Sequence, residues 1–144
     1  MVIKYQVKKL FNESEKDFNT KSFGYTQIEF GRFSIILSAP ERAYLEYLDE
    51  LPKKYSYQEA LEILENLSSL RSQVLQNLLE NCSSLKVKRL FLHFAEKLNH
   101  SWYKKLDLNK INLGTGKRLV FKNGIIDKKY LITIPKRANG KKSV

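Results

Sequence analysis

Residues 85–137 read LKVKRLFLHFAEKLNHSWYKKLDLNKINLGTGKRLVFKNGIIDKKYLITIPKR, and this stretch decides the fold class. Its front end has helical spacing. At 100° per residue Val87, Leu90, Phe91, Phe94, Ala95 and Leu98 share one face of a helix opened by Ser83-Ser84. Lys86, Arg89, His93 and Lys97 fall within about 80° of one another on the opposite side. The back end changes period. Lys117 to Phe121 reads as strand-like, Asn123-Gly124 is the strongest hairpin signal in the chain, and Tyr130 to Ile134 reads as a last strand. Between the two ends, Trp102, Tyr103, Leu106, Leu108, Ile111 and Leu113 suit a short helix and an extended stretch, and Gly114-Thr115-Gly116 turns the chain.

Upstream, Ile3, Tyr5 and Val7 alternate with Lys4, Gln6 and Lys8, the period of a half-buried strand. Residues 12–24 read as a polar loop. Tyr25 to Leu37 reads as two strands around Gly31-Arg32, a type II′ turn that sets Ile28 and Phe30 against Phe33, Ile35 and Leu37. Ser38 with Glu41 spells a capping box, and Pro40 suits a first turn. That helix carries Ala43, Tyr44, Tyr47, Leu48 and Leu51 as its apolar stripe, and Pro52 ends it. Ser56 with Glu59 opens a second helix with Ala60, Leu61, Leu64 and Leu67 inward, broken at Ser68-Ser69. A third carries Leu70, Val74, Leu75, Leu78 and Cys82. The expected architecture is α+β: N-terminal strands with a hairpin, a central layer of about four short helices, and a C-terminal hairpin. It forms one domain over residues 1–137, followed by a basic, flexible tail at 138–144.

Charge is distributed unevenly. The net charge is +11. Residues 1–39 hold 6 basic and 4 acidic side chains, residues 40–84 hold 4 and 8, and residues 85–144 hold 16 and 3. A cationic excess confined to one part of a chain suits a polyanionic partner. Lys86, Lys88 and Arg89 crowd the first turn of the helix at 85–98, where the macrodipole favours anions. Two readings stand: an anion held jointly by the free N–H groups and these cations, or a solvent-screened mismatch. The nucleic-acid-binding candidates are Lys86, Lys88, Arg89, Lys97, Lys104, Lys105, Lys117, Arg118 and Lys122.

Catalysis has little to stand on. The carboxylates between Glu41 and Glu65 are spaced for a solvated helix face. Gly114-Thr115-Gly116-Lys117 lacks the spacing of a phosphate loop, and Arg118 stands where Ser or Thr is needed. His93 and His100 read as surface or capping residues, and Trp102 as core. With one Cys and two His, no structural zinc site assembles, and no cofactor is expected. A lone Cys82 and no apolar run near 18 residues suit a cytoplasmic protein without a membrane span.

Three blocks resemble the C-terminal domain of AbiEi-type antitoxins from bacterial type IV toxin–antitoxin systems. They are SAPERAYLEYLDELPK (38–53) with YQEALEILENLSSLRSQVLQNLLENC (57–82), SLKVKRLFLHFAEKLNHSWYKKLDLNKINLGTGKR (84–118), and LVFKNGIIDKKYLITIPK (119–136). Together they cover roughly residues 28–137. The resemblance implies a non-enzymatic transcriptional regulator. It implies repression of its own operon at operator DNA, and antagonism of a nucleotidyltransferase-like toxin without a stable complex. It also implies a winged-helix DNA-binding domain ahead of such a stretch. That domain is expected to be absent here, the chain being a C-terminal fragment or a short relative. The alternative reading is a stand-alone nucleic-acid-binding module with a basic surface.

Overall fold

The structure is a computed structural model, and it describes residues 9–136. The strand expected over 2–8 and the tail at 138–144 lie outside the described residues. Two short 3-10 turns, Glu15–Asp17 and Lys21–Phe23, precede a hairpin of β1 (Tyr25–Phe30) and β2 (Phe33–Ser38). Five helices follow: α1 (Pro40–Leu48), α2 (Tyr57–Glu65), α3 (Ser72–Glu80), α4 (Leu85–Leu98) and the one-turn α5 (Ser101–Lys104). The chain closes on β3 (Ile125–Asp127) and β4 (Ile132–Ile134). The class is α+β, with an N-terminal hairpin, helices in the middle and a C-terminal strand pair.

The helix α4 is the axis of the molecule. Every residue from Val87 to Ala95 is buried, so the helix is enclosed on all sides rather than on one stripe. The helices α1 and α2 pack on it, as does β4. One apolar cluster runs from Leu10 and Phe11 through Leu45, Leu64, Leu78 and Phe91 to Ile132 and Ile134. Trp102 stacks on Phe91 at 5.6 Å and donates its indole N–H to the Leu67 carbonyl at 2.8 Å, a core role as the sequence suggested. Ser84 caps α4 through the Val87 N–H at 3.2 Å, and Asn99 closes it in the left-handed conformation, donating to Ala95 O.

Local departures have local causes. Ser38 does not cap α1. Ala39 occupies that position, while the Ser38 hydroxyl donates to Glu46 at 2.6 Å, and the Glu41 carboxylate is drawn away by Arg71. Ala43 is exposed and Leu45 buried, because the stripe of α1 is rotated toward α4. Ser56 does cap α2, accepting from the Glu59 N–H at 3.1 Å. In the supposed loop, the 3-10 turn at 21–23 buries Phe23. Residues 117–121 form no strand. Arg118 makes a single bridge to Ile132, and the Thr133 hydroxyl accepts the N–H groups of Val120 and Phe121. Asn123-Gly124 feeds β3 instead of joining two strands. The β3–β4 turn lies over Lys128 to Leu131, where Asp127 Oδ1 accepts the N–H groups of Lys129 and Tyr130.

The N-terminal hairpin has the register the sequence implies, with Ile28 opposite Ile35 and Phe30 opposite Phe33. Gly31 turns it at φ 56°, a sign that costs glycine nothing. Every residue from Thr26 to Leu37 is exposed.

Candidate functional site

The three cations at the start of the central helix are drawn into the fold. Lys86 Nζ donates to the carbonyls of Asp49 at 2.8 Å and Leu51 at 2.7 Å, capping the C-terminal end of α1. A charge of the wrong sign for the start of α4 is the right sign for the end of α1. Arg89, 2% exposed, spreads its guanidinium over three carbonyls. Nε and Nη2 donate to Leu113 O at 2.9 and 2.7 Å, and Nη1 donates to Gly116 O at 2.7 Å and to Leu131 O at 3.4 Å. It thereby ties the 113–116 loop and the β3–β4 turn to the helix. Gly114 belongs to this closure, since a Cβ there would lie 2.5 Å from Leu85 Cδ1. Lys88 is buried beside Cys82, and burial holds its ammonium below the ordinary lysine value. At this helix start, read as either an anion site or a solvent-screened mismatch, Lys86 and Arg89 donate to backbone carbonyls and Lys88 is enclosed.

His93 is also inside, contrary to its reading as a surface or capping residue. Its Nε2 lies 2.7 Å from the Tyr57 hydroxyl, and its Nδ1 meets Asp127 Oδ2. Burial lowers the basicity of the ring and outweighs the opposing pull of Asp127. Burial pushes the Asp127 carboxyl upward, but N–H donation from Tyr130, His93 and Lys129 outweighs it and leaves the group below the carboxylate range. The neutral ring thus donates Nδ1–H to an anionic Asp127 and accepts at Nε2 from Tyr57. The order hydroxyl, imidazole, carboxylate has the form of a nucleophile relay. The Tyr57 ring packs against Phe94 and Phe121, and burial raises the phenol far above its usual value. What the three residues do is pin α2, α4 and β3 together. They are separated by 36 and 34 positions, so no local pattern announces them. His100, by contrast, keeps its capping character: half-buried at the N-cap position of α5, it sets Nε2 3.0 Å from Leu64 O in the last turn of α2.

The other six predicted cations are exposed: Lys97, Lys104, Lys105, Lys117, Arg118 and Lys122. Lys105 joins two cations the sequence reading missed, Lys21 and Arg71. They line a groove of about 700 Å³ together with Ser69, Ser72 and Ser101, and no acidic side chain lines it among the described residues. Arg71 is held in place by Glu41, with Nη2 to Oε1 at 3.0 Å and its backbone N–H to Oε2 at 2.8 Å. Three cations from separate elements, with hydroxyls between them, suit the oxygens of a phosphate chain. Lys21 and Arg71 escaped notice because they lie outside the cationic segment and meet Lys105 only through folding. No group of His, Cys, Asp and Glu among the described residues is placed to hold a metal ion. No helix among them is long and apolar enough to cross a membrane.

These features define a small α+β protein in which Lys86 and Arg89 donate to backbone carbonyls while Lys104, Lys105, Lys117, Arg118 and Lys122 stay exposed. The chain belongs to the AbiEi antitoxin family of type IV toxin–antitoxin systems. The family model described as "Transcriptional regulator, AbiEi antitoxin, Type IV TA system" matches residues 1–135. No curated protein and no solved structure matches the chain.

Proposed function

We propose that this chain is a non-enzymatic antitoxin and transcriptional-regulator domain. It acts in the cytoplasm, counteracts a nucleotidyltransferase-like toxin without holding it in a stable complex, and contributes contacts to operator DNA. Family membership over residues 1–135 carries this reading. The DNA half is supported by the exposed cations Lys97, Lys104, Lys105, Lys117, Arg118 and Lys122 and by the Lys21–Arg71–Lys105 groove. Such groups neutralise phosphates and confer affinity that falls steeply with salt.

Co-expression with the toxin of the same operon tests the antitoxin half. Restored growth, with no toxin retained on the purified protein, is the expected result. Continued growth arrest at matched protein levels contradicts it. The alternative, a stand-alone nucleic-acid-binding module, takes its support from the same groove. It predicts salt-sensitive binding to nucleic acid with no rescue of growth.

A further inference from the structure

The β1–β2 hairpin has one polar and one apolar face. Its register sets Thr26, Ile28 and Phe30 on the same side as Leu37, Ile35 and Phe33. The other side carries Gln27, Glu29, Ser34 and Ile36. A hairpin patterned in this way normally lays its apolar face on a core. Here Ile28 is 41% exposed, Phe30 56%, Phe33 76%, Ile35 45% and Leu37 41%. Among the described residues the hairpin is held near its base, through Ala39 N–H to Gly24 O at 2.7 Å, Ser38 to Glu46, Tyr25 to Thr20 O and Glu13, and Asn19 to Gln27. The five side chains leave on the order of 500 Å² of contiguous apolar surface in water, within the range at which a patch on a soluble protein marks a contact site.

We infer that this face, carrying Ile28, Phe30, Phe33, Ile35 and Leu37, is a homodimer contact, in which the hairpins of two copies stack apolar face to apolar face about a two-fold axis. Area and charge both select a second copy. Sealing two such faces removes about 1,000 Å², where specific interfaces begin, so the contact is a reversible one. The chain carries +11, so two copies repel over most of their surfaces. The hairpin is an exception: from Tyr25 to Ser38 it holds one acid, Glu29, and one base, Arg32, and the apolar face itself holds no charge. A polyanion finds no cation on that face. An anionic bilayer likewise finds no cation on it. Stacked sheets lie roughly 10 Å apart, a spacing that Phe30 and Phe33 fill by interdigitating.

Sedimentation velocity of the full chain, run over about 1–200 μM, reads the contact directly. The expected result is a concentration-dependent shift from monomer to dimer. Phe33→Asp and Ile35→Asp should each leave a monomer at every concentration, with an unchanged circular dichroism spectrum, because neither side chain is part of the core. Ile36→Asp, on the opposite face of the same hairpin, should dimerise as the parent does. A parent chain that stays monomeric throughout overturns the inference, and its apolar face is then covered by something else. Dimers that survive Phe33→Asp and Ile35→Asp overturn it too. Loss of the dimer with Ile36→Asp points to strand-edge pairing and overturns the stacked arrangement.

Discussion

The helix α4 and the β1–β2 hairpin invert one another. The helix encloses Arg89, Lys88 and His93, side chains that ordinarily stay in water, while the hairpin leaves Phe30, Phe33 and Ile35 in water. Burying a cation is costly unless its donors are matched. Along α4, Arg89 is matched by backbone carbonyls in the 113–116 loop and the β3–β4 turn, and His93 by the Tyr57 hydroxyl and the Asp127 carboxylate. The hairpin reaches past the core, so its apolar face has nothing to meet within the described residues. Polarity alone therefore predicts neither location. What decides is whether a neighbouring segment supplies complementary groups.

Substitutions in the two regions sharpen this contrast. The largest effect is expected at Arg89. Arg89→Ala leaves the Leu113 and Gly116 carbonyls without their guanidinium donor and should lower the unfolding free energy by about 3 kcal/mol, read from urea denaturation. Arg89→Lys should recover only part of this, because an ammonium cannot span carbonyls on both segments. Lys86→Met keeps the aliphatic stem and loses two donated bonds, with an expected cost of about 1–2 kcal/mol by the same measurement. An unchanged Arg89→Ala midpoint would break the comparison at its stronger end.

An effect of intermediate size depends on pH. His93 is held below its ordinary value, so the folded protein binds fewer protons than the unfolded chain as pH drops through the histidine range. Stability is therefore complete above about pH 6.5 and lost progressively in acid. Asp127, also held low, extends the loss into the carboxylate range. The groups acting on the ring are Tyr57, Asp127, Glu96 and Lys97. Thermal melts between about pH 5 and 8 should show a falling midpoint, and His93→Phe should flatten the histidine part of the curve. The smallest effect is expected on the hairpin. Phe33→Ser should change the unfolding free energy of the dilute protein by no more than about 0.5 kcal/mol, as for a surface residue.

Most of the fold was legible where a local signal is strong. The Ser56 and Ser84 caps, the Gly31 turn and the helical spacing of Val87 to Phe94 depend on neighbours in sequence, and the structure has them in place. The errors lie where a distant partner decides. Glu41 leaves its expected box because Arg71, 30 residues away, takes it. The strand expected at 117–121 is no strand because the Thr133 hydroxyl accepts the Val120 and Phe121 N–H groups. Of the candidate interface, the exposed lysines from Lys97 to Lys122 were readable from composition alone. The carbonyl-binding roles of Lys86 and Arg89 were not, because a cation that binds an anion and one that binds a carbonyl look identical in sequence.

The division between inner and outer cations is tested most directly by titrating duplex DNA of the operon's promoter, at several salt concentrations, with the parent chain and a Lys104→Ala/Lys105→Ala/Lys117→Ala/Arg118→Ala variant. The variant should keep the parent's melting temperature, bind more weakly at low salt, and show a shallower dependence of affinity on salt because fewer phosphates are neutralised. Equal affinities and equal salt slopes for the two proteins, or a parent chain that fails to bind at low salt, would contradict that division.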